Sequence, residues 1–373
     1  MKLRIKKQVL LENLNKVSKA ISTKNLVPAL AGIKFDLTDK GLTLTASDNE
    51  ITIETFVENI KDNMEVEETG SVIIQGKYIL DIVRKIQDTE INISVLDEVK
   101  VLITTDTIEY NINGINKKEY PNISLENSKN PVKLNNKVLK DLVNQTSFAT
   151  STDDSRPQLT GINIKIDGNN LECNATDSYR LAKKTIELQD NEETLSFNII
   201  VPSKNIIEFT RIINDDDDTL INIFSNKVLF ETKGLKFQSK LITGAYPNTS
   251  NLIPKDNLFS IKLNGNDLYN VIDRVSILTS DRDKNIVTLE TNGNTLTMNS
   301  SSIEMGSGKE TMTVEKVGEG DIKISFSARY MMEALKVLTG EQVEIKFVGT
   351  VNPIVIQDED KNLVQLVLPI RTY

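Results

Sequence analysis

The sequence predicts an α+β protein with largely antiparallel sheets, built from three tandem copies of one unit. Three observations support this prediction. The first third of the chain aligns with the second at a constant offset, amphipathic helices recur at matching places, and strand patterns outnumber helix patterns. Because the helices do not alternate one for one with strands, the pattern argues against a parallel α/β sheet. The 373 residues are enough for two or three domains.

The repeat is visible as identities that keep one offset. The shift that carries Ser18 onto Ser147 matches the first third of the chain to the second over a long stretch without a gap. Its identical pairs are Ser18/Ser147, Ala20/Ala149, Ser22/Ser151, Thr23/Thr152, Pro28/Pro157, Leu30/Leu159, Gly32/Gly161, Ile33/Ile162, Leu42/Leu171, Ala46/Ala175 and Asp48/Asp177. A fainter third copy matches at Leu139/Leu268, Ser147/Ser276 and, after a shorter loop, Leu171/Leu296. Chance matches do not hold one offset over such a length. We therefore divide the chain into domains at 1–127, 128–255 and 256–373.

Each copy begins with an amphipathic helix, for which the predicted windows are 8–24, 136–150 and 265–279. Apolar residues recur there at helical spacing, and they are Val9, Leu10, Leu14 and Val17, then Leu139, Leu142 and Val143, then Leu268, Val271, Ile272 and Val275. Each of these stripes predicts a helix with one face buried in a core.

Alternating strands follow, and a second helix comes after them. Turn-forming residues join successive strands at Asp39-Lys40-Gly41, Asp167-Gly168-Asn169-Asn170 and Asn292-Gly293-Asn294. The second helices are predicted at 74–86, 203–213 and 327–338, and further strands close each copy. Polar stretches that contain proline, near Asn127–Pro131 and Pro254–Asn257, separate the copies.

Composition excludes several classes of site. With no histidine and a single cysteine, Cys173, the chain has no Ser-His-Asp triad, no Cys-His pair, no histidine-ligated metal and no intramolecular disulfide. No apolar run approaches the roughly 18 residues of a membrane helix. The apolar stretch after Met1–Lys7 stops at Glu12, which is too short for a signal peptide. We therefore expect a cytoplasmic protein with no membrane partner.

Several features that resemble chemical sites are interpreted as structural. Asp215–Asp218 lacks the ligand spacing of a calcium loop, and Gly306–Lys309 departs from a phosphate-binding loop, so we interpret both as loops, the second of them flexible. Asp48 and Asp177 occupy equivalent positions in separate copies, which favours a strand-end turn over acid/base catalysis. Cys173 is interpreted as a small buried residue within a strand. We expect no catalytic residue, no metal site and no cofactor.

Charge is sorted between the helices and the rest of the chain. The chain has 44 Lys+Arg, 53 Asp+Glu and a net charge of −9, yet the six helical windows hold 13 basic and 7 acidic residues. Each second helix has two basic residues seven apart, on one face, and these pairs are Lys77/Arg84, Lys204/Arg211 and Arg329/Lys336. A repeated basic stripe suits a polyphosphate partner, because it releases counterions without reading bases.

A family resemblance rests on three motifs: Ala175-Thr176-Asp177-Ser178-Tyr179-Arg180-Leu181, Gly244-Ala245-Tyr246-Pro247 and the ending Leu368-Pro369-Ile370-Arg371-Thr372-Tyr373. Together with the three copies, they resemble the family of bacterial DNA polymerase III beta subunits, the beta sliding clamps, over the whole chain. The resemblance implies three tandem copies of the DNA-clamp fold, with antiparallel sheets outside and helices lining the inner face. It also implies a head-to-tail dimeric ring.

The function that the resemblance implies is that of a processivity factor without catalytic activity. Such a ring encircles double-stranded DNA without reading its sequence. Its implied protein partners are the DNA polymerase III alpha subunit, the clamp loader complex, other clamp-binding polymerases and repair proteins.

The resemblance also implies a peptide-binding cleft between the second and third copies. The residues at matching positions are Leu159, Thr176, Ser178, Tyr179, Arg180, Leu181, Pro247, Asn251, Leu252, Pro353, Leu366, Leu368, Pro369, Ile370 and Arg371. The apolar members would take hydrophobic anchors, while Arg180 and Thr176 would orient the peptide. Ser178-Tyr179 replaces a common Gly-His, and Asn251 stands where relatives often have Arg. We therefore expect a shifted or weakened peptide preference.

The candidate DNA-facing residues are the six basic residues of the second helices together with Lys24, which matches a DNA-contacting position of the family. Ring closure in the family joins the first copy of one subunit to the third copy of the other. Tyr110 and Ile112 match one side of that interface and Ile277 and Leu278 the other. Lys77 lies near the interface by analogy, so its charge has two candidate roles.

Two other functional classes remain as alternatives. A metal hydrolase that uses carboxylates alone is disfavoured, because no carboxylates repeat at a convergent site. A repeat-built scaffold or adhesin is disfavoured by the basic helix faces and by the missing export signal.

Overall fold

One order of elements occurs three times in the computed structural model, which describes residues 1–21, 27–188, 196–279, 285–338 and 342–371. In each copy a strand and a helix are followed by four or five strands, a second helix and three strands. Every strand pair within the described residues is antiparallel. The prediction of three tandem α+β copies is confirmed.

Six α-helices lie in the described residues, with bounds α1 (Lys7–Val17), α2 (Gly76–Lys85), α3 (Asn136–Ser147), α4 (Ser203–Ile212), α5 (Gly265–Ser276) and α6 (Ala328–Lys336). The strands of the first copy are β1 (Lys2–Lys6), β2 (Gly32–Thr38), β3 (Gly41–Ser47), β4 (Ile51–Glu58), β5 (Met64–Glu68), β6 (Gly70–Gln75), β7 (Glu90–Leu96), β8 (Lys100–Thr104) and β9 (Glu109–Asn113). Those of the second copy are β10 (Val132–Asn135), β11 (Gly161–Asp167), β12 (Asn170–Thr176), β13 (Arg180–Glu187), β14 (Ser196–Pro202), β15 (Asp218–Ile223), β16 (Lys227–Thr232) and β17 (Leu235–Lys240). Those of the third copy are β18 (Phe259–Asn264), β19 (Ile286–Asn292), β20 (Thr295–Ser302), β21 (Gly306–Thr313), β22 (Glu315–Val317), β23 (Lys323–Ser327), β24 (Gln342–Phe347), β25 (Ile354–Asp358) and β26 (Leu363–Val367).

The first compact unit comprises Met1–Leu139 and Glu208–Leu241. It holds a five-stranded sheet in the order β5-β1-β7-β8-β9 and an eight-stranded sheet in the order β10-β15-β16-β17-β4-β3-β2-β6. Helices α1 and α2 pack against each other. Their predicted apolar stripes form buried faces, which include Leu10 and Leu14 of α1 and Val83 of α2.

The second compact unit comprises Lys140–Ile207 and Ile242–Tyr373. It holds a nine-stranded sheet in the order β14-β11-β12-β13-β26-β25-β24-β18-β22 and a four-stranded sheet in the order β21-β20-β19-β23. One core cluster joins α5 and α6 to strands of both sheets, with Ile272, Phe326 and Phe347 among its fully buried members. Burial of such apolar surface is the main force that holds helices and sheets together.

The first helices end earlier than the predicted windows. In each copy the last turn is closed by hydrogen bonds between residues three apart, such as Ile21 N–H to the Ser18 carbonyl, Thr150 N–H to that of Ser147 and Thr279 N–H to that of Ser276. Bonds of this spacing tighten and end an α-helix. The helical prediction therefore holds for each first helix but extends too far at its C-terminal end.

The Gly306–Lys309 segment is a strand, so the prediction of a flexible loop there is wrong. It forms the start of β21, which pairs with β20 from Ser302 opposite Gly306 to Thr295 opposite Thr313. Glycine has little intrinsic preference for strands. The ladder with β20 supplies the backbone hydrogen bonds that local sequence does not favour.

The other local predictions are confirmed, except that Asp218, expected in a loop with Asp215–Asp217, begins strand β15. The three predicted turns lie between β2 and β3, between β11 and β12, and between β19 and β20. Cys173 is a buried free cysteine in β12, and burial raises the pKa of its thiol to about 12. Asp215 and Asp216 are exposed after α4.

Candidate functional site

A tight turn between β12 and β13 positions the two central residues of the candidate site. The Asp177 carboxylate accepts hydrogen bonds from the Tyr179 N–H at 2.9 Å and the Arg180 N–H at 3.0 Å. The Thr176 hydroxyl donates to the Arg180 carbonyl at 2.6 Å, and Ser178 has φ +79°. A carboxylate that bonds backbone groups two and three residues ahead fixes the turn. The predicted strand-end turn at Asp177 is confirmed.

The turn sends Tyr179 and Arg180 to opposite environments. The Tyr179 side chain is 62% exposed, whereas Arg180 is 7% exposed. The Arg180 Nε donates to Asp177 at 3.0 Å, and its Nη1 is ion-paired with Glu333. Its guanidinium also lies 4.5 Å from the Tyr330 ring centroid, within cation–π range. Two carboxylates and an aromatic ring thus compensate this buried charge.

Glu333 stays ionised in this cluster. Its burial alone would raise the pKa of its carboxyl group, but hydrogen bonds and charge from Arg180 and then Arg329 outweigh that effect and hold the pKa below its usual value. A buried ion pair needs such additional bonds to offset the loss of water. Glu333 therefore acts as a fixed anion between two arginines.

The apolar floor of the predicted cleft lies next to this cluster. Leu181, Val355 and Leu366 form one buried cluster, and Ile253 packs against it. Leu181 of β13 lies opposite Leu366 of β26, so the sheet itself brings these distant residues together. Leu252 and Leu368 remain exposed apolar side chains. The remaining predicted members divide by exposure: Leu159 and Thr176 are buried, Pro353, Pro369 and Ile370 are half-buried, and Ser178, Pro247, Asn251 and Arg371 are exposed.

A cavity of about 690 Å³ opens beside Tyr179, and the residues that line it are Tyr179, Asn285, Ser327, Arg329, Tyr330, Leu368, Pro369 and Ile370. The chain after β26 is held there because the Leu368 N–H donates to the Tyr179 carbonyl at 2.9 Å. Tyr330 is fixed by α6, whose N-cap, Ser327, accepts a hydrogen bond from the Tyr330 N–H. Tyr179 and the segment Leu368–Ile370 were predicted members of the cleft.

Sequence reasoning missed three of these lining residues and gave a fourth another role. Asn285, Ser327 and Tyr330 carry no motif that marks them, and only the fold brings them to Tyr179. A signal existed for Tyr330, because it directly follows Arg329, the first basic residue of the repeated stripe. Arg329 itself was assigned to DNA, and the structure places it in the wall of this cavity.

The basic residues of the second helices are exposed, and several have partners. Lys77, Lys204 and Lys336 are exposed. The remaining three are arginines with recorded contacts: Arg84 donates to Asn15 at 3.3 Å, Arg211 is ion-paired with Glu208, and Arg329 with Glu333. Pairs on one helix face weaken the field that a polyphosphate meets. Lys24, the remaining predicted DNA contact, lies outside the described residues, as do Thr372 and Tyr373 of the terminal motif.

The predicted interface residues lie on or beside two unpaired sheet edges. Tyr110 and Ile112 belong to β9, which ends the five-stranded sheet, and β21 ends the four-stranded sheet. Ile277 is 70% exposed, directly after α5, while Leu278 is partly buried. Unpaired strand edges are ready templates for pairing with another chain.

Tyr78 of α2 is a further exposed apolar side chain that the sequence did not single out. Its side chain is 58% exposed. It follows Lys77 as Tyr330 follows Arg329, so the two tyrosines occupy equivalent positions. The repeat was the signal that could have found it.

Within the described ranges, no group of three or more His, Cys, Asp or Glu residues is arranged to hold a metal ion. In the same part of the chain, no helix has the length and apolar character needed to cross a membrane.

Comparison with known proteins covers the entire length. Family models of the DNA polymerase III beta subunit match residues 1–124 with the N-terminal domain, 133–248 with the central domain and 250–371 with the C-terminal domain. The chain is 38% identical to a beta sliding clamp of Staphylococcus epidermidis and 36% identical to one of Staphylococcus aureus, each over 378 residues and 100% of both chains.

Solved structures agree with these relatives. The DNA polymerase sliding clamp of Bacillus subtilis matches with a TM-score of 0.96 at 35% identity, covering 100% of both chains. The beta subunit from the DNA polymerase of Streptococcus pyogenes matches with a TM-score of 0.95 at 29% identity, also over 100% of both chains.

Proposed function

The chain belongs to the family of DNA polymerase III beta subunits, the bacterial sliding clamps, and from this premise we propose that two copies close head to tail into a ring around duplex DNA. In this proposal the helices line the hole and the sheets form the outer shell. The ring is a non-catalytic processivity factor of the cytoplasmic, nucleoid-associated replisome. The observation that supports a closed ring is that the same type of strand pairing already occurs twice within the chain.

Two copies of the repeat are joined by the same pair of strands at each internal junction. The last strand of the second copy, β17, pairs with β4 of the first, with Phe237 opposite Ile53. The last strand of the third copy, β26, pairs with β13 of the second, with Gln365 opposite Ala182. The offset of the repeat carries Ile53 onto Ala182. One junction register is therefore used twice.

The third pair of equivalent strands is not joined within the described part of the chain. Its strands would be β9 of the first copy and β21 of the third, each of which stands at one end of its sheet. Tyr110 is the equivalent of Phe237, because it lies opposite Ile103 in its hairpin as Phe237 lies opposite Phe230. Gly308 is the equivalent of Ala182, because it lies opposite Ser300 as Ala182 lies opposite Ala175.

Transferring the internal register to these edges places Tyr110 of one protomer opposite the partner's Gly308. The neighbouring pair joins Glu109 to the partner's Lys309, which are oppositely charged. A heterologous contact of this kind builds a closed ring when its rotation suits the number of subunits.

The exposed apolar residues support the same contact. At the junction of the second and third copies, the Arg180 guanidinium lies 5.4 Å from the Phe148 ring centroid and 4.5 Å from that of Tyr330. The position of Phe148 is taken by Ile277 in the third copy, and the position of Tyr330 is taken by Tyr78 in the first. If the ring closes with the same geometry as the junctions within the chain, Tyr78 of one protomer lies close to the partner's Ile277. This contact would then cover two apolar side chains that each chain exposes alone.

For the DNA-facing surface, we propose Lys24, Arg84, Lys204, Arg211 and Lys336 as contacts with the phosphate backbone. Topological enclosure needs only mild, sequence-blind attraction, and tight contacts would slow sliding. The ion pair between Arg211 and Glu208 supports this role, because it moderates the positive field. Lys77 and Arg329 stand at the start of their helices, and we assign them mainly to the ring junction and the cleft.

For protein partners, we propose that the cleft around Tyr179 binds short peptide segments of the DNA polymerase III alpha subunit, the clamp loader complex and other polymerases and repair proteins. The exposed Leu252 and Leu368 over the buried Leu181 cluster support this assignment. Concave apolar surfaces with a few fixed polar groups are typical of ligand sites. The residues involved are those named in the cleft, with Asn285, Ser327 and Tyr330 added.

Retention on circular DNA tests the ring. The protein is loaded onto a nicked plasmid with a matching clamp loader and ATP, the complex is isolated, and the plasmid is then cut once. We expect stable retention on the circle and loss after linearisation, because a topological ring slides off free ends. Equal retention on both forms would indicate ordinary DNA binding and would overturn the proposal.

A further inference from the structure

Strand β22 stands at one end of the nine-stranded sheet, where it pairs with β18. A strand in that position can act as a template for pairing with a second chain. With three residues, Glu315–Val317, it is the shortest of the described strands in this sheet. Two glycines with left-handed φ follow it, Gly318 at +103° and Gly320 at +116°, a conformation that glycine adopts at little cost. A second chain would therefore meet only a short length of strand.

The middle residue of this strand, Lys316, turns its side chain toward the core. It lies opposite Ile261 in the ladder with β18, and residues that lie opposite each other share one face of a sheet. Ile261 is fully buried in the core cluster of the third copy. The Lys316 side chain is 8% exposed, and its ammonium nitrogen lies 4.8 Å from the ring centroid of Phe259. A lysine at the end of the sheet thus carries its charge on the apolar side.

Asp321 compensates the charge of Lys316. Its carboxylate accepts a hydrogen bond from the Lys316 Nζ at 2.7 Å and another from the Gly293 N–H at 3.1 Å. The hydrogen bond from Lys316 is the main cause that holds the pKa of the Asp321 carboxyl group below its usual value. The Asp321 side chain is 51% exposed, so water still reaches the ion pair.

A strand added to β22 would remove this water. It would lie against the backbone of Lys316, in the middle of the short strand, and would cover the ion pair with Asp321. An ion pair that loses water is costly unless new hydrogen bonds replace the lost ones. Charged side chains that point inward from an end strand are one means by which proteins avoid pairing there.

The strand that we assign to the ring carries its inward charge in another way. Glu310 of β21 lies opposite Met298, a fully buried core residue. Its partner is Arg274 of α5, which donates to it at 3.0 and 2.6 Å. Because α5 packs against β20 and β21, this pair is made from the helix side of the sheet. A strand added beside β21 therefore leaves the pair intact.

We propose that Lys316 prevents β22 from pairing with a second copy of this chain, so that chains join through β9 and β21 alone. The inference rests on the proposed ring and adds a residue that determines the specificity of its assembly.

Removing the charge of Lys316 tests the proposal on the full chain. Lys316→Met keeps an unbranched side chain of similar length. A ring of two chains has two β22 strands, so pairing between like strands would join rings into rows. In analytical ultracentrifugation we expect species larger than a dimer at concentrations about a hundredfold below those that wild type needs, because the contact no longer covers an ammonium group. Lys165→Met is the matched control, since it removes an exposed charge paired with Asp167 from the inner strand β11, and it should sediment as wild type does.

Three further variants separate the charge of Lys316 from its part in the fold. Lys316→Gln is a second uncharged variant and should associate as Lys316→Met does. Lys316→Arg keeps the charge and should keep the wild-type size. Asp321→Asn removes the ion pair but keeps the ammonium group, so it should lower stability in urea without forming larger species. Circular dichroism checks that each variant is folded.

The outcomes separate this inference from the ring on which it rests. If the folded Lys316→Met and Lys316→Gln proteins keep the wild-type size, the proposal for β22 is wrong and the ring stands. If Asp321→Asn associates as strongly as Lys316→Met, lost stability is the cause and the proposal is also wrong. If wild type is a monomer, the ring fails, and dimers of the Lys316→Met protein would still support the role of Lys316.

Discussion

The turn after β3 and the turn after β12 have the same backbone but different outward residues. In the first, Asp48 accepts hydrogen bonds from the Glu50 and Ile51 N–H groups at 2.9 and 2.8 Å. In the second, Asp177 accepts the equivalent bonds at 2.9 and 3.0 Å. Asn49 and Ser178 have φ values of +75° and +79°. The local hydrogen bonding is thus preserved between the first and second copies.

The difference lies in the two residues that this turn presents. Glu50 is ion-paired with Lys240 at 3.2 Å, whereas Tyr179 at the same place lines a cavity. Ile51 is an apolar residue buried opposite Ser239, whereas Arg180 reaches Glu333. The fold supplies the junction in both cases, and side-chain substitution at two positions distinguishes a plain junction from a candidate binding site.

The third version of the turn extends the comparison to the ring. Ser302 stands where the other copies have an aspartate, and its hydroxyl accepts a hydrogen bond from the Met305 N–H at 3.4 Å. The strand that follows, β21, is unpaired at its outer edge. In the proposed ring this edge meets a second chain, so the third junction forms between two chains, whereas the other two form within one.

The largest expected effect comes from breaking the third junction. Ile277→Asp places a carboxylate where the partner's Tyr78 is expected, and it does so at both interfaces of a ring. Loss of apolar burial costs about 2 kcal/mol per interface, so about 4 kcal/mol in all, which is about a thousandfold in the Kd of the dimer. Analytical ultracentrifugation should show monomers at concentrations where wild type is dimeric.

The control for this change is Leu258→Asp, which puts the same charge on another exposed apolar residue. It should leave the dimer intact. An Ile277→Asp protein that still sediments as a dimer would show that the internal junctions do not model the interface.

Replacing Arg180, at the junction of the second and third copies, should lower the free energy of unfolding more than replacing Ile51, at the junction of the first and second. Arg180→Met leaves Asp177 and Glu333 without their shared cation, and the expected loss in the free energy of unfolding is about 3 kcal/mol. Ile51→Val, the matched change at the equivalent position, should cost about 1 kcal/mol. Urea unfolding followed by circular dichroism measures both values.

A double variant shows whether the ion pair is the cause. Arg180→Met combined with Glu333→Gln removes both charges, so its loss should be smaller than the sum of the two single losses. If the losses simply add, the pair does not couple the residues, and the contrast with Ile51 has another origin.

The smallest effect on function is expected from the basic faces of the second helices, which all three copies share. Lys204→Glu with Arg211→Glu should weaken loading or retention on circular DNA about tenfold at low salt, since only a few screened phosphate contacts are lost. The fold should be intact. Lys165→Glu with Lys323→Glu, on strands β11 and β23, is the charge-matched control. If this variant is retained on DNA as well as the control, the proposal that the basic stripe contacts DNA is wrong.

Much of the fold could be predicted because its signals are local or periodic. The stripe of Leu10 and Leu14 predicts a helix with a buried face, and Asp39-Lys40-Gly41 predicts a tight turn, whatever lies elsewhere in the chain. The segment Gly306–Lys309, for which a loop was predicted, is a strand because β20 pairs with it. Its own residues have little preference for that state.

The candidate site was predicted in part, for a different reason. Tyr179 and Leu368 follow from family motifs, but nothing local to Arg329 shows that it stands beside them. The carboxylate shared by Arg180 and Arg329 belongs to Glu333, which lies in the third copy, whereas Arg180 lies in the second. Side chains so far apart in the chain meet only after sheets and helices have packed.

The sequence by itself determined the threefold repeat, the helix and turn positions and the basic stripe, because each depends on spacing within a short stretch or on an identity kept at one offset. The tertiary structure alone decided that Arg180 is a buried cation, that Arg329 lines a cavity and that β9 and β21 stand at the ends of their sheets. Burial, ion pairing and free edges are properties of distant residues brought together, and the free energy that fixes them arises only from that packing.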